Sequence, residues 1–103
     1  MASDQYHEKL YQRFRTFFDE AEENRRWNPY RDVPWAKINP ELPEHVALCA
    51  ETFLGVESFL PDYIRFGMDA VRVSSLAQRW FAANWGYEDL KHSMVLTEYL
   101  AFL

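Results

Sequence analysis

GYEDLKHSMVLTEYL, residues 86–100, decides how this chain folds. Val95, Leu96, Tyr99 and Leu100 recur at three- and four-residue spacing, the pattern of a helix with one apolar face. Upstream, Phe81 and Trp85 lie on the same face as Leu96, Tyr99 and Leu103. Ser74 or Ser75 is a natural N-cap, so the spacing predicts a helix over about 75–103. Into that face the sequence inserts Asp89 and His92, three residues apart and therefore on one side of the helix. A surface histidine would need no explanation. One beside a carboxylate, flanked by Trp85 and Leu96, does.

Two more helical segments precede this one. Leu10, Phe14, Phe17, Phe18 and Ala21 mark an amphipathic helix over about 4–25. WNPYRDVPWAKINPELP, residues 27–43, carries four of the five prolines and reads as an extended connection. A second helix is expected over about 43–67, opened by Pro43 and kinked at Pro61, with Val46, Ala50, Phe53 and Ile64 on one face. With no repeat and no low-complexity linker, the 103 residues read as one all-α domain of three helices.

Composition narrows the function classes. The formal charge of −5, from 11 basic and 16 acidic residues, offers no basic field for nucleic acid. Clusters such as DEAEENRR, residues 19–26, are mixed in sign and read as a solvated helix end. The single cysteine, Cys49, excludes an internal disulfide and a Cys/His zinc spacing, and its flanks VALCAETF suggest a small buried side chain. The start, MASDQYHEKLYQRF, is not a secretory signal, and no apolar run is long enough to span a bilayer. A cytoplasmic protein is expected, with neither nucleic acid nor membrane as partner.

Glu57 shares the face of Val46, Ala50, Phe53 and Ile64, where an unpaired carboxylate is costly to desolvate. If the turn between the second and third helices centres near residue 72, Glu57 lies 15 residues before it and Asp89 lies 17 after it. In an antiparallel pair that mismatch is roughly 3 Å of helix rise. Glu57, Asp89 and His92 are therefore expected at one level. A Glu on one helix and an acid-x-x-His pair on its neighbour make one half of a di-iron carboxylate site. Either feature alone is common in helices that bind nothing; the matched height points to a shared site. His7 and His45 lack such partners and read as surface or structural residues.

These residues also resemble a known family. WGYEDLKH, residues 85–92, is similar to the WTAEENRH segment of the soluble acyl-carrier-protein desaturases. ESFLPDY, residues 57–63, is similar to that family's EEALPTY, whose first Glu is an iron ligand, and WNP, residues 27–29, resembles its Trp-x-Pro. The motifs occur in the family's order over roughly residues 20–103. The resemblance implies a ferritin-like bundle in which Glu57, Asp89 and His92 ligate metal. Asp89 stands where the family has Glu, one methylene longer, and Glu88 is the reserve ligand on the same helix. In AEENRR, residues 21–26, Arg26 stands where a histidine would be required, and arginine cannot ligate iron.

By the same resemblance the cofactor is a pair of iron ions and the substrate is a fatty acyl chain on acyl carrier protein. Dioxygen is the oxidant, a ferredoxin-type donor supplies electrons, and the product carries a new double bond. Phe53, Phe59, Phe81 and Trp85 are candidates for an apolar channel, and Arg65, Arg72 and Arg79 for contacts to an acidic carrier. The full family site needs two further ligand helices, so this chain is expected to hold half of it. Its ending, YLAFL, gives the third helix no stop signal. Either a longer parent protein or a second copy in a homodimer would supply the rest. A non-desaturating iron-binding dimer and a metal-free helical interaction module are the alternatives.

Overall fold

The break that proline imposes on the second helix organises the architecture. In the computed structural model, which describes residues 4–102, the elements are α1 (Asp4–Asn24), a 3-10 turn (Trp35–Lys37), α2 (Glu44–Glu57), α3 (Leu60–Val71) and α4 (Leu76–Phe102). The helix expected over 43–67 is interrupted at Ser58 and Phe59 and reaches Val71. Pro61 sits in the first turn of α3, where its missing N–H costs least. In an unbroken helix that N–H would bond the carbonyl of Glu57. The carbonyl instead accepts a hydrogen bond from Ser93 Oγ on α4, at 3.4 Å.

Of the two serines expected to cap α4, the structure uses Ser75. Its Oγ accepts from the Gln78 N–H at 3.3 Å, while Gln78 Oε1 accepts from the Ser75 N–H at 3.0 Å. That reciprocal pair is a capping box with glutamine as the returning residue. Leu103, placed on the apolar face by its spacing, lies outside the described residues.

α4 is the central helix. α2 and α3 lie antiparallel along one flank, where Glu57 meets Asp89 and His92 and Ile64 packs over Gly86. α1 runs parallel to α4 on the opposite flank: Tyr11 and Phe14 meet Trp80, Phe17 meets Phe81, and Arg26 reaches Asn84 and Glu88. Small residues (Ala21, Ala50, Ala77 and Gly86) lie buried where the helices approach. The connection from α1 to α2 crosses the far end of α4, and the Trp35 ring stacks on Phe102 with centroids 5.4 Å apart. Trp35 Nε1–H donates to the Pro29 carbonyl at 2.8 Å, which holds the indole in place.

Helices on two opposite flanks of one central helix make a single layer. The molecule measures 57 × 29 × 15 Å, and its smallest dimension is little more than one helix with side chains, about 10–12 Å. Its radius of gyration is 17.7 Å, against about 13 Å for a compact chain of this length. This geometry corrects the expected core. Phe53, Phe81 and Trp85, named from periodicity as inward-facing, are 62%, 49% and 44% exposed. Cys49, expected to be buried, is exposed. The periodicity identified the apolar faces correctly, but a one-layer fold has nothing to bury them against. The all-α class and the three-helix partial bundle stand, the second helix being divided into α2 and α3.

Candidate metal centre

Glu57 is the last residue of α2, and the proline-imposed break leaves its carboxylate beside the middle of α4. Asp89 and His92, one turn apart on α4, face it. One ligand atom from each of the three residues falls within a set spanning 4.8 Å. His92 Nδ1 is 2.9 Å from Asp89 Oδ1 and 3.4 Å from Glu57 Oε1. The side chains of Asp89 and Glu57 are 15% and 23% exposed, while that of His92 is 53% exposed. The level match expected from chain spacing is therefore realised, and all three residues meet.

The donor set fits a divalent transition metal. Two donors each about 2.1 Å from one ion, at right angles, lie about 3 Å apart, which is the separation found between Nδ1 and the carboxylate oxygens. Carboxylate and imidazole together suit iron, zinc or manganese better than a soft ion. Electrostatics favour a cation as well. Two carboxylates converge at the C-terminal end of α2, the negative end of the helix dipole. Nδ1 is the ring nitrogen that faces both carboxylates, so it is the atom a bound cation would take.

Glu88, the reserve ligand, is used elsewhere, and this corrects the expectation. It turns toward α1, where its Oε1 accepts from Arg26 Nη1 at 2.5 Å and from Lys91 Nζ at 3.2 Å. Arg26 also donates to Asn84 Oδ1 and Glu22 Oε1, each at 2.9 Å. Partial burial pulls the Arg26 pKa down, but its hydrogen bonds to Glu22 and Glu88 outweigh that, and the net direction is up. The DEAEENRR segment is thus not merely solvated: Arg26 ties the end of α1 to α4. Lys91 is buried, with its ammonium near the rings of Trp27 and Tyr87.

Sequence reasoning missed Ser93, Arg26 and Lys91. Ser93 was legible in principle, since it lies one turn beyond Asp89 and the residue four before Pro61 is Glu57. The roles of Arg26 and Lys91 depend on α1 lying parallel to α4, which no local pattern encodes. His7 and His45 are exposed and outside the cluster. Phe59 is exposed like the other channel candidates, as are Arg65, Arg72 and Arg79. No helix among the described residues is long and apolar enough to cross a membrane. No family model, no curated protein and no solved structure matches the chain. The ferritin-like assignment rests on the motif resemblance alone.

Proposed function

We propose that this chain carries one half of a di-iron carboxylate centre, in an oxidoreductase of the acyl-carrier-protein desaturase type. The observation that carries the reading is the convergence of Glu57, Asp89 and His92 from two antiparallel helices, within 4.8 Å. Three independent constraints meet there: the Pro61 break that ends α2 at Glu57, the Asp89-x-x-His92 spacing, and the level set by the turn between α3 and α4. The motif order WNP, ESFLPDY, WGYEDLKH supports the particular family.

When bound, iron would supply activation of dioxygen, which a saturated acyl chain requires because its C–H bonds offer no acidic proton to a side chain. The residues of this chain do the rest. Glu57 and Asp89 would supply oxygen ligands and His92 would supply Nδ1, while Ser93 holds the backbone of Glu57 against α4. Asp89, shorter than Glu by one methylene, draws its oxygen toward its own helix. The proposed substrate is a fatty acyl chain on acyl carrier protein, with a ferredoxin-type electron donor, in the cytoplasm. As the chain becomes unsaturated it gives up two hydrogens, dioxygen is reduced to water, and the donor provides the remaining electrons.

The test is anaerobic titration with ferrous iron, with helicity followed by circular dichroism. Glu57→Ala, Asp89→Ala and His92→Ala are each expected to weaken metal binding at least tenfold while leaving the helical signal unchanged, in line with the loss of one ligand. Unchanged iron uptake in all three variants would remove the basis of the proposal. Unsaturated product from an acylated carrier, with reductant and dioxygen present, separates a desaturase from a non-desaturating iron protein.

A further inference from the structure

Leu10 and Phe14 lie one turn apart on α1, and Ala77 and Phe81 one turn apart on α4. Where these rows meet, with Val71 at the end of α3 beside them, they line an apolar cleft of about 340 Å³. Ala77 and Ala82 bring only methyl groups to its wall, and that leaves the room. The volume falls within the ~300–1,000 Å³ of small-molecule sites. Two polar side chains line the cleft. Gln78 has its Oε1 committed to Ser75, accepting from the backbone N–H at 3.0 Å and from the hydroxyl at 2.9 Å. The Arg13 guanidinium makes no hydrogen bond or ion pair among the described residues. Its neighbours three and four residues away on α1, Lys9, Leu10, Thr16 and Phe17, include no acid that could reach it.

We infer that this cleft binds a monocarboxylate with a hydrocarbon body, its carboxylate paired with Arg13 and its body laid against Phe14 and Phe81. The lining decides both ends of the ligand. Leu10, Phe14, Val71 and Phe81 offer no polar group to a sugar, a base or a peptide backbone, and such a ligand would give up its hydrogen bonds to water without replacement. Among the described residues no carboxylate lines the cleft, so a cationic amphiphile meets a guanidinium where it needs an acid. A guanidinium matches a carboxylate with two parallel N–H···O bonds. With no second cation in the lining, it balances one negative charge, whereas a phosphate monoester carries more than one.

Concavity and charge set the cleft apart from the rest of the exposed apolar surface. α4 presents Trp85 on one broad side and Leu76, Trp80, Tyr87 and Leu90 on the other, all exposed. Exposure alone names no occupant for either side. In the cleft a hydrocarbon touches α1, α3 and α4 at once, and the guanidinium fixes which way it lies. The last cleft residue on α4, Ala82, stands about two turns, or roughly 10 Å, before Asp89. The site is therefore separate from the metal cluster, and the inference stands whether or not Glu57, Asp89 and His92 hold an ion.

Isothermal titration calorimetry and equilibrium dialysis of the full chain with octanoate, 4-phenylbutyrate, octanol and octyltrimethylammonium test this. The expected result is one carboxylate bound per chain, with octanol weaker by about tenfold or more, as one charge-assisted pair is lost. A preference for either carboxylate supports the site and identifies the body as aliphatic or aromatic. Arg13→Gln, at an exposed position, is expected to bring octanoate down to the affinity of octanol, and Arg13→Lys to recover part of the loss. Ala82→Leu fills the cleft while keeping the charge and is expected to abolish binding, circular dichroism confirming that the helices are kept. Octanoate and octyltrimethylammonium binding alike, or octanoate binding that neither Arg13→Gln nor Ala82→Leu weakens, would mean adsorption on the broad apolar sides and would overturn the site. Binding of none of the four ligands would overturn it as well.

Discussion

Consider replacing Glu88, the carboxylate that joins α1 to α4. Its Oε1 accepts from Arg26 at 2.5 Å and from Lys91 at 3.2 Å, and the three side chains, Glu88, Arg26 and Lys91, are 28%, 17% and 7% exposed. In Glu88→Ala, Arg26 keeps Glu22 and Asn84. Lys91 keeps only the ring faces of Trp27 at 5.9 Å and Tyr87 at 5.0 Å among the described residues. Stranding one member of a buried pair costs about 3–5 kcal/mol, and the 28% exposure of Glu88 places this pair at or below the lower end of that range, the ring contacts of Lys91 being common to both proteins. The expected loss is about 2–3 kcal/mol. Adding Lys91→Met removes the stranded charge and keeps the packing of its stem, so the double variant is expected to recover about 1–2 kcal/mol of that loss. Urea denaturation followed by circular dichroism, at one fixed protein concentration, measures all three species. A Glu88→Ala variant within about 0.5 kcal/mol of the parent, or a double variant less stable than the single, would refute the reasoning.

Two other positions give tests of the packing. A Cβ on Gly86 would lie 3.0 Å from Ile64 Cγ1 and 3.1 Å from Cδ1. Gly86→Ala is therefore expected to lose about 1 kcal/mol, overpacking exceeding the gain in helix propensity. In an Ile64→Ala background the same change becomes stabilising, and thermal melts of the four proteins read the reversal. Ser75→Ala removes one half of the capping box and is expected to cost about 1 kcal/mol, measured by the same denaturation. Gln78→Ala should cost less, because the Ser75 hydroxyl still caps the Gln78 N–H.

Much of this was legible in the sequence, for identifiable reasons. Three- and four-residue spacing located the helices because that spacing is a local property of the chain. Pro61 announced a disturbance, although the outcome is a break at Ser58 and Phe59 rather than a kink, since the first turn of a new helix tolerates proline better than the interior of an old one. Glu57, Asp89 and His92 could be brought to one level because an antiparallel hairpin fixes height by counting residues. What the sequence could not yield depends on packing between distant segments. Glu88 looked as able a ligand as its neighbour until the orientation of α1 assigned it to Arg26 and Lys91. Phe53, Phe81 and Trp85 were read as core because an apolar face implies burial, whereas the number of layers is set by what lies opposite.

Each flank of the layer leans on α4, and α4 is made after the helices that need it. A chain leaving the ribosome therefore carries α1, α2 and α3 as amphipathic segments with no surface to fold onto, and Trp35 with no Phe102 to stack on. Between the completion of α1 and that of α4 lies an interval of roughly 4–16 s at ordinary rates of synthesis. Helix-by-helix growth is closed to such a topology. The chain must gather around α4 in one late event, and until then its phenylalanines are the concern of whatever holds nascent chains apart.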